Sequence, residues 1–421
     1  MARLLYTLTL YLALPFIALR LLWRARKAPA YARRWSERFA AGGALPTEPC
    51  IWVHAVSVGE TLAALDMIRR LQAEYPDKPL LVTTTTPTGS ERVRAALGDS
   101  VHHVYLPYDL PDHWWRFFRR LRPRVLIVME TELWPNLVAA ASRRHIPVLL
   151  ANARLSARSA RGYARFSALT RPMLQRLACV AAQQQADADR FVALGLPASR
   201  LRVTGSIKFD LHLPEALRAQ AQALHQAWVP ADGKLWLAAS THEGEDAICL
   251  AAHRLASGQI PGLRLLLVPR HPERFGKVTS LAAEQGFRTV RRSEYGGGDF
   301  EVMVGDTMGE LLAFYGACDF AFVGGSLVPR GGHNMIEPAA WARPVISGPH
   351  LFNFSEVARL LEQAQALTLA ENSEQLAEVL VSWCEQPALA MQKGQAALQV
   401  ADANRGALDR LLAEIKRLLA G

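Results

Sequence analysis

Charged side chains recur in this sequence directly after short apolar runs, where a β-strand would hand its chain to a loop. The first case is His54-Ala-Val-Ser-Val-Gly-Glu60, in which Ser57 and Gly59 make a turn and Glu60 opens a helix. A carboxylate in a first helical turn compensates the helix dipole. The same group at the mouth of a cleft between domains serves as general base for a hydroxyl. The second case is Met129-Glu-Thr-Glu-Leu-Trp-Pro-Asn136, where the run Val125–Val128 delivers Glu130 and Glu132 and Pro135 starts a helix. Ending an apolar strand on a negative charge has a desolvation cost that a cap, an ion pair or an active site must offset. The third is Val203-Thr-Gly-Ser-Ile-Lys208, whose lysine either neutralises a carboxylate or phosphate or stands solvated.

The second half repeats the arrangement. Arg270 and His271 follow the apolar run Leu263–Val268, and Arg270 offers a fixed fork for a phosphate. Val304-Gly-Asp-Thr-Met308-Gly309-Glu310 is another strand-to-helix turn whose free amides suit a base or phosphate. Gly324-Gly325 and Gly331-Gly332 let the backbone approach a ligand closely. His333-Asn334-Met335-Ile336-Glu337 then places His333 and Glu337 four apart, so that they share one face of a helix, where a carboxylate can take both hydroxyls of a ribose. Four such turns in one half indicate a nucleotide site. His242-Glu-Gly-Glu245 lacks the second histidine of a zinc HExxH motif, so no metal site is expected there.

Strands alternating with helices must position these turns. The apolar runs Ile51–Val56, Leu80–Thr85, Val125–Glu130, Val148–Ala151, Cys179–Ala182 and Arg202–Ser206 are expected strands of the first half. Leu235–Ser240, Leu263–Val268, Thr289–Arg291, Val302–Val304, Phe320–Val323 and Val345–Ser347 are those of the second. Helical runs such as Thr61–Glu74 and Leu133–Arg144 intervene, and one or two long helices close the chain after Ala388. This alternation predicts an α/β protein of parallel sheets with right-handed crossovers, in two facing Rossmann-like domains, the GT-B plan. The expected divisions are 1–40 as anchor and basic segment, 41–211 as the first domain, 212–232 as linker and 233–421 as the second domain.

The chain of 421 residues carries a formal charge of +10, but its first 40 residues hold eight cations against one anion, leaving +3 for the rest. A body so near neutrality speaks against nucleic-acid binding. Leu4–Trp23 is almost continuously apolar, just long enough to span a bilayer, and Arg24, Arg26, Lys27, Arg33 and Arg34 follow. The positive-inside rule then keeps the body cytoplasmic. An interfacial helix is the alternative, since Pro15 and Arg20 interrupt the run, and a core helix of a soluble protein is a third. The five cysteines are isolated and read as reduced, buried thiols.

Ten motifs in order, HAVSVGE (54–60), TTTTPTG (83–89), YLPYDLP (105–111), METELWPN (129–136), ANARLSARS (151–159), VTGSIKFD (203–210), STHEGE (240–245), PRHPERF (269–275), GDTMGEL (305–311) and GGHNMIEPAAW (331–341), resemble the Kdo transferases of lipopolysaccharide synthesis. The resemblance runs from the membrane segment to about Asn353. It implies a GT-B fold and transfer of 3-deoxy-D-manno-octulosonic acid (Kdo) from CMP-Kdo to a lipid A precursor (lipid IVA) at the bacterial inner membrane, with no metal. It further implies Glu60 as catalytic base, with Glu130 and Lys208 supporting the transition state; strand geometry alone does not separate Glu130 from Glu132. Arg270, His271, the Met308–Gly309–Glu310 turn and Asn334, Met335, Ile336 and Glu337 would hold CMP. Arg154, Arg158 and Arg161 are candidates for acceptor phosphates, or else a solvated helix face. A UDP-sugar transferase and a non-catalytic nucleotide-sugar sensor are the alternative readings. A dehydrogenase is disfavoured by the lack of a GxGxxG followed by an acidic residue.

Overall fold

The computed structural model describes residues 1–26 and 28–420, so Lys27, one of the basic residues above, lies outside it. The chain divides into two compact units, Met1–Asp210 with Gly406–Gly421, and Leu211–Arg405. Unit 1 holds strands β1 (Cys50–His54), β2 (Leu80–Thr84), β3 (His102–Tyr105), β4 (Pro123–Met129), β5 (Val148–Ala153), β6 (Cys179–Ala182) and β7 (Leu201–Val203). They form one parallel sheet in the order β3-β2-β1-β4-β5-β6-β7. Unit 2 holds β8 (Lys234–Thr241), β9 (Leu263–Pro269), β10 (Thr289–Arg291), β11 (Val302–Val304), β12 (Phe320–Val323), β13 (Val345–Ser347) and β14 (Leu367–Leu369). Its sheet is also parallel, in the order β10-β11-β9-β8-β12-β13-β14.

The central strands are unbroken apolar runs because helices cover both faces. Successive residues of β1 point to opposite cores. Trp52 packs with Trp114, Phe117 and Phe118 on one side, while Ile51 and Val53 join Ile68, Leu408, Leu411 and Ile415 on the other.

Three features differ from the expected organisation. Residues 212–232 are not a plain linker: Glu215–Trp228 is a helix, and its fully buried Trp228 packs on Phe314 of unit 2, ring centroids 5.6 Å apart. The closing helix Ala407–Ala420 belongs to unit 1, not to the second domain. Its apolar stripe completes the second core of sheet 1, and Asp210 accepts from the amides of Gly406 (2.5 Å) and Leu408 (2.6 Å). Strands β3 and β14 had no counterpart among the expected ones. One is His-His-Val-Tyr with its histidines only half-buried, and the other is a three-residue edge strand.

The N-terminal helix Ala2–Ala25 lies against unit 1 along its first three turns. Tyr6 donates to Asp109 (3.0 Å), Thr7 and Asn136 are hydrogen-bonded (3.0 Å), and Tyr11 donates to Asp112 (2.6 Å). Asp109 is buried and also accepts from Trp114 Nε1 (2.6 Å) and the amides of Asn136 (2.9 Å) and Leu137 (2.7 Å). The opposite helix face leaves Leu4, Leu8, Leu12, Phe16 and Leu19 exposed.

In unit 2 a single carboxylate joins the strands at which the order reverses. Glu245 follows β8 and is fully buried. It accepts from the amides of His242 (2.8 Å), Gly325 (2.7 Å), Ser326 (2.9 Å) and Leu327 (2.9 Å), the last three in the loop after β12. Each oxygen serves two donors. Glu245→Gln turns one oxygen into an amide that faces two N–H groups, so it should destabilise unit 2 by about 2–4 kcal/mol, the scale of hydrogen bonds to a buried charge. Denaturant unfolding monitored by the fluorescence of a unit 2 tryptophan measures this; an unchanged midpoint would refute the clamp.

Candidate active site

Parallel strands bring all their carboxyl ends to one edge, and ligands of such sheets bind where the strand order reverses. In sheet 1 that point lies between β1 and β4, and both loops there carry the acidic residues singled out above. After β1, Ser57 caps the helix Val58–Glu74 by accepting from the Glu60 amide (3.3 Å). The Glu60 carboxylate reaches back to the amide of Val56 (2.8 Å) and the hydroxyl of Ser57 (2.9 Å). This is a variant of the capping box. Glu60 is also 8% exposed, and burial pushes its carboxyl up to about 7, helped by the nearby charges of Glu130 and Glu132. The capping role and a titratable base therefore coexist in one side chain.

After β4, the amide of Glu130 makes one more sheet bond, to Ala151 O (2.9 Å), before its φ of +55° turns the chain out of the strand. A non-glycine residue there is held by its surroundings at a cost of order 1 kcal/mol. Lys208, beyond β7 in the short 3-10 turn Ile207–Phe209, reaches Glu130 at 3.1 Å, so the structure pairs two residues 78 apart. Glu132 is half-buried and pushed up by burial and then by Glu130. Glu130 is thus the carboxylate with the lysine partner, a distinction that strand periodicity did not supply. Arg158 and Arg161 are exposed on the helix Ala157–Arg165, while Arg154 is half-buried.

In sheet 2 the order reverses between β8 and β12. The exposed Arg270 and His271 follow β9, and His271 packs edge-on to His242, centroids 5.4 Å apart. His242 in turn stacks on His333, with ring nitrogens 3.0 Å apart, so one ring donates and the other accepts. Burial, then the charge of Arg270, pulls His333 down to about 4. Glu337 receives a hydrogen bond from Asn334 (3.2 Å), and burial pushes it up to about 7 against the pull of Arg270. Arg270, His271, His333 and Glu337 are therefore one neighbourhood.

The expected helix face does not exist. The helix is only Ile336–Ala340, and His333 lies ahead of it with its ring on His242, so His333 and Glu337 do not share a helical stripe. Met335 and Ile336 have buried side chains and offer a ligand only their main chain; the Ile336 amide is already held by Asn334 Oδ1 (3.1 Å). Met308 is 69% exposed beside Gly309, whose φ is +87°. Glu310 is tied to Arg292 (2.9 Å) and Thr307 (2.5 Å). Sequence reading missed Glu245 and His242 as organisers of this site. Their signal, acidic residues opening a helix after β8, was present, but their partners stand about 80 residues further on. Among the described residues no group of three histidine, cysteine, aspartate or glutamate side chains is placed to hold a metal ion.

Comparison with known proteins agrees with this geometry. Residues 33–211 match the family described as 3-Deoxy-D-manno-octulosonic-acid transferase (kdotransferase). The chain is 44% identical to the 3-deoxy-D-manno-octulosonic acid transferase of Haemophilus influenzae over 100% of its own length and 99% of that protein's. It is 39% identical to the enzyme of that name from Bordetella pertussis, covering 98% of each. In fold it is similar to UDP-GlcNAc 2-epimerase from Neisseria meningitidis, with a TM-score of 0.59 and 14% identity, covering 88% of this chain and 100% of that one. The two parallel seven-stranded sheets accord with the GT-B class. With full-length similarity at this level, the chain belongs to the 3-deoxy-D-manno-octulosonic acid transferase family of glycosyltransferases.

Proposed function

We propose that this chain is an inverting glycosyltransferase that moves Kdo from CMP-Kdo to a lipid A precursor, lipid IVA, at the cytoplasmic face of the bacterial inner membrane. The observation that carries the chemistry is the buried Glu60 carboxylate, poised near neutrality beside the Glu130–Lys208 pair. On this reading Glu60 takes the proton of the acceptor hydroxyl as its oxygen bonds to the anomeric carbon. The bond from that carbon to the CMP phosphate breaks on the opposite face, and the phosphate leaves with the electron pair. One displacement inverts the centre and needs no enzyme nucleophile. The Glu130–Lys208 ion pair sets a carboxylate where positive charge develops on the sugar. Arg270, His271, the Met308–Glu310 turn and Asn334–Glu337 hold CMP, with Met335 and Ile336 acting through their main chain. The leaving phosphate draws its positive charge from Arg270 and backbone amides, and the reading calls on no metal.

The N-terminal helix serves on this reading as a membrane element lying in the interface. A crossing helix of this length, about 36 Å, would carry Tyr6, Thr7 and Tyr11 away from the body surface to which they are hydrogen-bonded. The stripe Leu4, Leu8, Leu12, Phe16 and Leu19 faces outward instead, as an interfacial helix requires.

Glu60 fixes the sign of the pH dependence. Its carboxyl is raised from 4.5 to about 7, so folding favours the neutral form, and charging it costs stability as pH rises through that range. The base appears over the same range, so kcat/KM should climb to a plateau above about pH 7. Glu60→Gln should lower kcat by about 10²–10⁴-fold, flatten that climb, and leave Tm at pH 8 equal or higher. A variant that turns over within a few-fold of wild type removes Glu60 as base. Lys208→Met should leave CMP affinity, measured by calorimetry, within about threefold while kcat falls at least about tenfold; parallel losses in both would assign Lys208 to folding instead. Competition by CMP against UDP distinguishes the proposed donor from a UDP-sugar.

A further inference from the structure

Unit 1 contains a cavity of about 450 Å³ that no step above uses. It is within the range of small-ligand sites, about 300–1,000 Å³. One wall is a stripe of the N-terminal helix, Leu10, Leu14, Ile17 and Leu21, at spacings of four, three and four that keep one face. The facing wall is Leu106, Pro107 and Leu110, from the loop after β3. Such walls suit a hydrocarbon chain.

The lining sets three arginines against the carboxylates of Asp109 and Glu132, and some of its buried donors are unsatisfied. Arg38 is 4% exposed; its Nη1 donates to Thr85 O (3.0 Å), and its guanidinium lies on the Tyr105 ring, 4.1 Å from the centroid. Its Nε and Nη2 have no hydrogen-bond partner among the described residues. Those two atoms form one edge of the guanidinium fork, the edge that grips a phosphate or carboxylate with two parallel bonds. Trp134 Nε1, also in the lining, is a third buried donor without an acceptor among the described residues. Arg20 and Arg24 complete a set of three cations. Asp109 lines the same space but cannot serve them, because its oxygens already accept from Tyr6, Trp114, Asn136 and Leu137. Buried donors left unpaired cost free energy, so an anion belongs beside Arg38.

The cavity's position identifies the owner of that anion. Val56 lines it, and the Val56 amide holds the Glu60 carboxylate; Glu132, which raises the Glu60 carboxyl, lines it too. We infer that this cavity is the lipid subsite of the acceptor: one acyl chain lies along the N-terminal helix, and one acceptor phosphate is gripped by Arg38. The assignment rests on the proposed acceptor reading and moves the phosphate grip from the exposed Arg158 and Arg161 to Arg38. It also gives the N-terminal helix a second duty, as a wall of the substrate site.

The test uses the full chain in nanodiscs, with a tetraacylated, bisphosphorylated glucosamine disaccharide and its deacylated and dephosphorylated forms as probes. Equilibrium binding is measured without donor, and transfer is measured with CMP-Kdo. Leu14→Trp fills the apolar wall and should weaken the acylated probe at least about tenfold, narrowing its advantage over the deacylated one. Arg38→Gln should weaken the phosphorylated probe at least about tenfold and abolish its advantage over the dephosphorylated one. If Arg38→Gln fails to fold, Leu14→Trp, on a half-exposed helix face, still decides. Equal losses on every probe, no loss on any, or displacement of the acylated probe by phosphatidylglycerol as readily as by itself overturns the inference. Selective losses in a protein that transfers no Kdo would sustain the cavity and refute the activity. Normal transfer with unselective binding would do the reverse.

Discussion

Parallel pairing is the constraint on which the rest of this molecule depends. Every strand pair in both sheets runs the same way, so each connection must carry the chain back along the sheet and each carboxyl end must emerge on one edge. That geometry explains why residues far apart in sequence, such as Glu60, Glu130 and Lys208, become neighbours without any local motif linking them. It also accounts for the residues with positive φ at Glu130, just past β4, and at Asn152 and Ser240, the next-to-last residues of β5 and β8, where the register shifts. A chain leaving a buried parallel strand has to turn sharply within one or two residues, and those turns are where side chains are aimed.

The two reversal points are organised by opposite means. In sheet 1 carboxylates are gathered beside one lysine, and burial keeps Glu60 and Glu132 easy to protonate. In sheet 2 a carboxylate is spent on the backbone. Glu245 fixes the glycine-pair loop, while histidines and Arg270 line the surface near Glu337. One reversal point supplies groups that can exchange a proton, and the other supplies a loop held by Glu245 and flanked by Arg270 and polar rings. A transferase requires both kinds of chemistry.

Much of this was legible from the residues. The Val/Ile/Leu-rich runs located the central strands, because a strand covered on both faces cannot hide its composition. The charged residues that follow those runs located the turns. What was not legible depended on distance or on partnership. Nothing near Glu245 announces that its acceptors' donors lie at Gly325–Leu327. The i, i+4 spacing of His333 and Glu337 suggested a shared face, but Gly331 and Gly332 hold the chain at φ of +97° and +76°, and the helix starts only at Ile336. The stripe of the closing helix shows that it must be buried without showing against which sheet. Arg38 reads as one more basic residue after an apolar segment; only its burial sets it apart.

The return of that closing helix has a consequence for how the protein is made. The chain leaves unit 1 at Asp210, builds all of unit 2, and comes back at Gly406, where the two passages are pinned together by the Asp210 carboxylate. During synthesis, the face of sheet 1 that Leu408, Leu411 and Ile415 cover stays bare until nearly the whole chain has emerged. Unit 2 therefore matures first although it is encoded second, and the nascent unit 1 presents an apolar face for as long as unit 2 takes to translate, about 10–40 s at ribosomal speed. A chain that ends at Arg405 has an intact unit 2 attached to a half-covered partner, the form that chaperones and proteases recognise.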